Sequence, residues 1–141
     1  MSVREIDRTD DICVGIEFPL DYSQEGFFRK TKTIRQQVKS NIKNLILTSR
    51  GERVFQPNFG CGLRDLLFEQ ITSETLESID NDIRTSLSTW LPYVVVNDLI
   101  VVQNDSNPNE IQINLEYTTE VNPDTLDNIT FSCRRIKWLL M

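Results

Sequence analysis

Three carboxylates, Glu52, Asp65 and Glu69, lie within one short run of this 141-residue chain, residues 51 to 69. That run also holds three of the five glycines, and Phe55, Phe59 and Phe68. Grouped acids could serve glycoside hydrolysis, which needs two carboxyl groups facing each other across a sugar chain, one of them holding its proton. Each acid here has a plainer role. Glu52 and Arg53 can fasten the run through ion pairs or backbone hydrogen bonds, and Asp65 and Glu69 fall where a short helix exposes one face. A sugar cleft would also surround its acids with more aromatic and amide side chains, so hydrolysis stands only as an alternative reading. The chain has no histidine, which excludes Ser-His-Asp and Cys-His catalysis and mixed Cys/His zinc sites. Cys13, Cys61 and Cys133 are odd in number and widely spaced, as expected of reduced, partly buried thiols. The oxygen-rich stretch Asn104-Asp105-Ser106-Asn107 matches no EF-hand spacing and reads as a turn. No catalytic, cofactor or metal group is expected.

A second candidate chemistry is phosphate binding. Residues 29 to 50 carry seven bases and no acid. At helical spacing, Arg29, Lys32, Lys39 and Lys43 project from one side, where they could meet phosphates. The neighbouring aromatics, Phe27 and Phe28, stand at the helix entry and not among the lysines, so no base-stacking platform is apparent. A net charge of −6 also disfavours nucleic acid. The blander expectation is a solvated helix face, or one that takes an acidic partner. Residues 1 to 28 are themselves acidic, with seven acids against two bases.

The elements that must position these residues are legible from periodicity. Ile34, Val38, Ile42 and Leu45 form one apolar stripe, predicting a first helix over residues 29 to 48 with Gly51 as a left-handed cap beyond it. Leu63 to Phe68 reads as one helical turn. Thr72 or Ser73 can cap a second long helix, with Leu76, Ile79, Ile83 and Leu87 inward and Pro92 stopping it. The pattern then becomes β. Val94 to Val102 is β-branched, residues 104 to 109 form a turn, and residues 110 to 121 alternate with Ile111, Ile113, Leu115 and Tyr117 on one face. Residues 122 to 128 read as a loop before a third strand from Ile129. In that strand the apolar set switches parity, from Ile129, Phe131 and Cys133 to Ile136, Trp138 and Leu140. A bulge near Arg134-Arg135, or a second packing partner for the last residues, would reconcile the two.

The expected fold is α+β, two main helices on a three-stranded antiparallel sheet. Residues 1 to 28 form an extended N-terminal arm, and residues 29 to 141 form the domain. Phe55, Phe59 and Phe68 are expected to pin the connector between the helices to the body. No run approaches the length of about 20 apolar residues that a membrane span needs, and the N-terminus lacks the layout of a secretory signal. A soluble protein made in the cytoplasm is expected, without membrane or nucleic-acid partners.

The connector resembles the GPW-type baseplate wedge and sheath-initiator proteins of contractile-tailed phages, with relatives in contractile secretion machines. The likeness rests on Gly51-Glu52-Arg53, Pro57, Phe59-Gly60-Cys61, Leu63 and Leu67-Phe68-Glu69, and extends less specifically over residues 29 to 141. Where the family often carries Glu-Pro-Arg, this chain has Leu91-Pro92-Tyr93, and only Pro92 is kept. The resemblance implies a structural part of a virion tail baseplate, present in six copies beside other wedge and hub proteins and carrying the platform on which the sheath starts. Members have also been labelled lysozyme-like, which is why the acids above matter. The sheath contact is expected at Arg134, Arg135, Ile136, Trp138, Leu140 and the edge beside them. Lys32, Lys39, Lys43 and Pro92 are expected to face wedge or hub neighbours.

Overall fold

Two threonines begin the long helices. Thr33 holds extended backbone angles while its hydroxyl accepts the Gln36 N–H at 3.3 Å, and Gln36 Oε1 reaches back to the Lys32 N–H at 3.1 Å. This close relative of a capping box starts helix α1 at Ile34–Leu47, five residues later than the charge run suggests. Arg29 and Lys32 therefore lie outside the helix, and only Lys39 and Lys43 project from it. The computed structural model describes residues 12–22, 28–66, 69–104, 107–120 and 122–134.

The chain ahead of α1 forms a small ribbon. Strand β1 (Gly15–Ile16) pairs antiparallel with β2 (Lys30–Thr31). Val14 N–H donates to the Thr31 carbonyl and Glu17 N–H to the Arg29 carbonyl, both at 2.9 Å. The ribbon lies on α1: Phe18 N–H donates to the Ser40 hydroxyl at 3.2 Å, and a Cβ added at Gly15 would stand 2.2 Å from the Gln37 side chain. Gly15 and Phe18 thus rest on the chain's own helix. The Phe18–Pro19 peptide is cis.

After α1 comes the connector, then a short helix α2 (Leu63–Leu66) and the long helix α3 (Ser73–Trp90). Thr72 caps α3, its hydroxyl accepting the Thr75 N–H at 3.3 Å, and Glu74 lies in the first turn, where the helix dipole favours an anion. Leu91 ends α3 and Pro92 follows in the turn to the sheet, as expected. Three antiparallel strands complete the fold: β3 (Val94–Asn104), β4 (Asn107–Thr119) and β5 (Asn122–Arg134), ordered β3-β4-β5.

Two loop expectations are corrected. The first loop is shorter than six residues, because Asn104 already pairs with Asn107. Pro108, which cannot donate to a ladder, falls in the irregular stretch before Ile111 meets Gln103. The second stretch, 122 to 128, is not a loop: Asn128 pairs with Glu116, Asp127 with Tyr117 and Asn122 with Thr119. The turn-forming residues 123 to 126 are exposed and are accommodated in the register shift, not in a free loop. From Asp127 to Arg134 the register against β4 is continuous. The parity switch and the bulge expected near Arg134-Arg135 lie at and beyond the end of the described residues.

The core sits between the helices and one face of the sheet. Val38, Ile42, Leu45 and Ile46 of α1 meet Ile79, Ile83 and Leu87 of α3 and the alternating Ile111, Ile113, Leu115 and Tyr117 of β4. Burying a side chain of this size contributes about 1.5–3 kcal/mol, far above any exposed ion pair, so packing and not charge holds the basic helix against the acidic one. In β3 a register shift between Val96 and Asp98 changes the inward set from Val94 to Leu99 and leaves Val95, Ile100 and Val102 exposed. Among the described residues no helix is long and apolar enough to cross a membrane.

Candidate functional site

The connector is a closed loop. Thr48 ends α1 with an extended conformation, and its carbonyl accepts the Cys61 N–H at 2.9 Å, so the chain leaves the loop beside the point where it entered. Inside, Gly51 N–H donates to the Pro57 carbonyl at 2.8 Å and Phe59 N–H to the Gln56 carbonyl at 3.0 Å. Gly51, with φ +88°, lies in this turn and is not the cap of α1. The residue that needs to be glycine for space is Gly60. Its φ is +113°, and an added Cβ would stand 2.4 Å from the Thr48 carbonyl oxygen.

Glu52, Arg53 and Phe59 have defined partners. Glu52 Oε2 accepts the Ser49 N–H at 2.9 Å and its Oε1 accepts from Arg64 at 3.0 Å. Arg53 stacks over the Phe59 ring at 3.8 Å, and Phe59 meets the Trp90 ring edge-on at 5.2 Å, tying the connector to the end of α3. Phe59, Cys61 and Leu63 are buried in the core. Phe55 is not a pin: it is 96% exposed at the loop's tip. Leu67 and Phe68 lie outside the described residues, and Glu69 is exposed.

Asp82, absent from the sequence reading, is the main fastening. One of its oxygens accepts the Gly62 N–H at 2.6 Å and the Cys61 thiol at 3.1 Å, while the other pairs with Arg50. Four residues on, the buried Ser86 hydroxyl donates to the Gly60 carbonyl at 3.2 Å. The sequence signal was an acid and a serine four apart, beside the apolar stripe of α3, which places both on one helix face. Burial pushes the Cys61 thiol up to about 12, with the Asp82 carboxylate adding to the rise. Burial also raises Cys133. At about pH 8 a maleimide should therefore label the exposed Cys13 in the native protein and leave Cys61 unmodified until denaturant is added. Rapid native labelling of Cys61, read by peptide mass spectrometry, would show that the clamp opens.

These contacts hold Glu52 in a structural role. Both oxygens of Glu52 are engaged, and Asp65 is exposed on α2, its N–H donating to the Gly62 carbonyl at 3.1 Å. A depression of about 290 Å³ lies elsewhere, beside Thr33, Ile34, Val38 and Thr119, with Arg35 and Asp127 paired at its edge. None of the connector acids lines it. Among the described residues no group of three His, Cys, Asp or Glu is placed to hold a metal.

The expected partner residues are dispersed. Lys32 precedes α1, Lys39 is exposed on it, Lys43 is half-buried, and Pro92 is exposed beyond α3. Arg134 ends the described part of β5, and Arg135, Ile136, Trp138 and Leu140 lie outside it. Tyr93, in the place where the family often has arginine, accepts a hydrogen bond from Asn41 of α1 at 3.0 Å.

The family profile described as Baseplate wedge protein gp25 matches residues 32–124. The chain belongs to that family. The match takes in α1, the connector, α3, β3 and β4; the β1–β2 ribbon and most of β5 lie outside it. The baseplate wedge protein gp25 of Enterobacteria phage T4 is 27% identical over 96 residues, 67% of this chain and 70% of that protein. A solved Geobacter sulfurreducens protein named as a tail lysozyme is 25% identical with a TM-score of 0.67, over 75% of this chain and 95% of its own. A chain of the anti-feeding prophage baseplate shares the fold, with a TM-score of 0.57 at 22% identity over 86% and 84% of the two chains.

Proposed function

We propose that this baseplate wedge protein is a structural, non-enzymatic part of a contractile tail that starts the sheath by accepting a sheath strand on the free edge of β5. The supporting observation is the edge itself. β5 is a terminal strand of the sheet, and from Asp127 to Arg134 it runs in unbroken register against β4. An incoming strand gains main-chain hydrogen bonds along such an edge, and side chains at its rim set the register. The opposite edge is less suited, because β3 is interrupted between Val96 and Asp98, and a bulge twists an edge away from further pairing. Six copies around the baseplate would present six such edges. Wedge and hub neighbours take the remaining faces, including that of Lys39 and Lys43, which make no ion pair among the described residues.

The experiment is deletion of residues 136 to 141, which follow β5 in the sequence. The shortened chain should melt at the wild-type temperature and enter baseplates, and the resulting tails should show naked tubes by electron microscopy. Sheathed, contractile tails from that variant would sink the β5 edge as the initiation site.

A further inference from the structure

The tip of the connector is built against the usual chemistry of turns. Gln56 N–H donates to the Arg53 carbonyl at 3.3 Å, closing a β-turn whose two central residues are Val54 and Phe55. Those positions ordinarily go to Gly, Pro, Asn, Asp or Ser, which supply the required angles or bond their own backbone. Here a β-branched residue and an aromatic one stand 88% and 96% exposed, the two most exposed large hydrophobic residues among those described. The loop below them is fastened by the Gly51–Pro57 hydrogen bond and by both oxygens of Glu52. Nothing local accounts for these two side chains. A local inconsistency on an otherwise rigid support marks a functional position.

Arg53 indicates what meets them. Its guanidinium is held flat over Phe59, yet makes no hydrogen bond or ion pair among the described residues. Stacked in this way it is oriented in advance for a planar, two-pronged bond to a carboxylate. The geometry points to Arg53, Val54 and Phe55 as a rigid anchor that seats in an apolar pocket, bordered by an Asp or Glu, on a neighbouring baseplate protein other than the sheath. Val54 and Phe55 fill the pocket and Arg53 bonds its rim, an arrangement typical of residues that dominate interfaces. This rests on the wedge reading above but uses the end of the domain remote in sequence from β5.

The test places the photo-crosslinker p-benzoyl-phenylalanine at position 55 of the full chain in assembling particles, with Tyr22 as an exposed control position. The expected product is one cross-linked baseplate protein, joined through an apolar residue close to a carboxylate. Phe55→Ser should lower incorporation into purified baseplates by about tenfold or more with an unchanged melting temperature, and Phe55→Leu should restore most of it. Normal incorporation of F55S overturns the anchor and leaves the wedge reading standing, as does cross-linking to sheath or to a second copy. Absence of the wild-type chain from purified baseplates overturns both.

Discussion

Gly60→Ala lowers the stability of the folded chain by about 4 kcal/mol, combining about 1–3 kcal/mol for a strained backbone with a similar term for steric overlap. The two costs have separate origins. With φ at +113°, Gly60 occupies a conformation that side-chain-bearing residues rarely adopt. Independently, the new Cβ would stand 2.4 Å from the Thr48 carbonyl oxygen. That oxygen cannot simply retreat, because it accepts the Cys61 N–H that closes the loop. For a domain of this size the melting temperature should fall by about 10–20 °C. Gly51→Ala is the matched control. Its φ is also positive, at +88°, but nothing lies within 4 Å of the added atom, so only strain remains and the loss should be about 1–2 kcal/mol. Equal losses for the two alanines, measured by urea unfolding, would remove the steric argument.

Asp82→Ala should cost about 3 kcal/mol, mainly because the Gly62 N–H loses its acceptor in a part-buried place. The Arg50 pair adds less. Arg50 is 48% exposed against 16% for Asp82, and solvent screening holds a pair of that kind to about 1 kcal/mol at most. Asp82→Asn retains an oxygen for Gly62 and should lose about half as much as the alanine. Arg50→Ala isolates the ion pair and should cost no more than about 1 kcal/mol. If R50A and D82A proved equally damaging, the carboxylate would be serving the arginine and not the backbone. Native Cys61 should also become accessible to maleimide in D82A, which ties this result to the labelling pattern expected of the wild type.

Much of the architecture was legible because it follows from periodicity. The stripes of α1 and α3, the alternation of β4, the cap at Thr72 and the stop at Pro92 all depend on local patterns that the tertiary fold does not override. The start of α1 was missed because seven bases with no acid between them, over residues 29 to 50, look like one element, whereas Thr33 and Gln36 form a cap that only their spacing of three reveals. Residues 122 to 128 read as a loop because Asn, Pro and Asp dominate them, yet β4 supplies a partner that turn chemistry alone does not anticipate. In the connector the motif residues were visible and their partners were not. Phe55 has the composition of a core residue and the location of a tip. Asp82 lies twenty residues beyond Gly62, and no local pattern joins an acid on one helix to the amide of a distant glycine.

Because Thr48 meets Cys61 across a single hydrogen bond, the twelve residues between them form a side branch whose entrance and exit coincide. What changes at its tip is not transmitted to the alignment of α1 with α3. Recognition and folding are thereby written in separate parts of one short segment. Relatives of this chain can diversify residues 54 to 56 while Arg53, Phe59, Gly60, Cys61 and Asp82 keep the same frame. A lineage adapting to a new neighbour has a place to vary that leaves the helices and the sheet undisturbed.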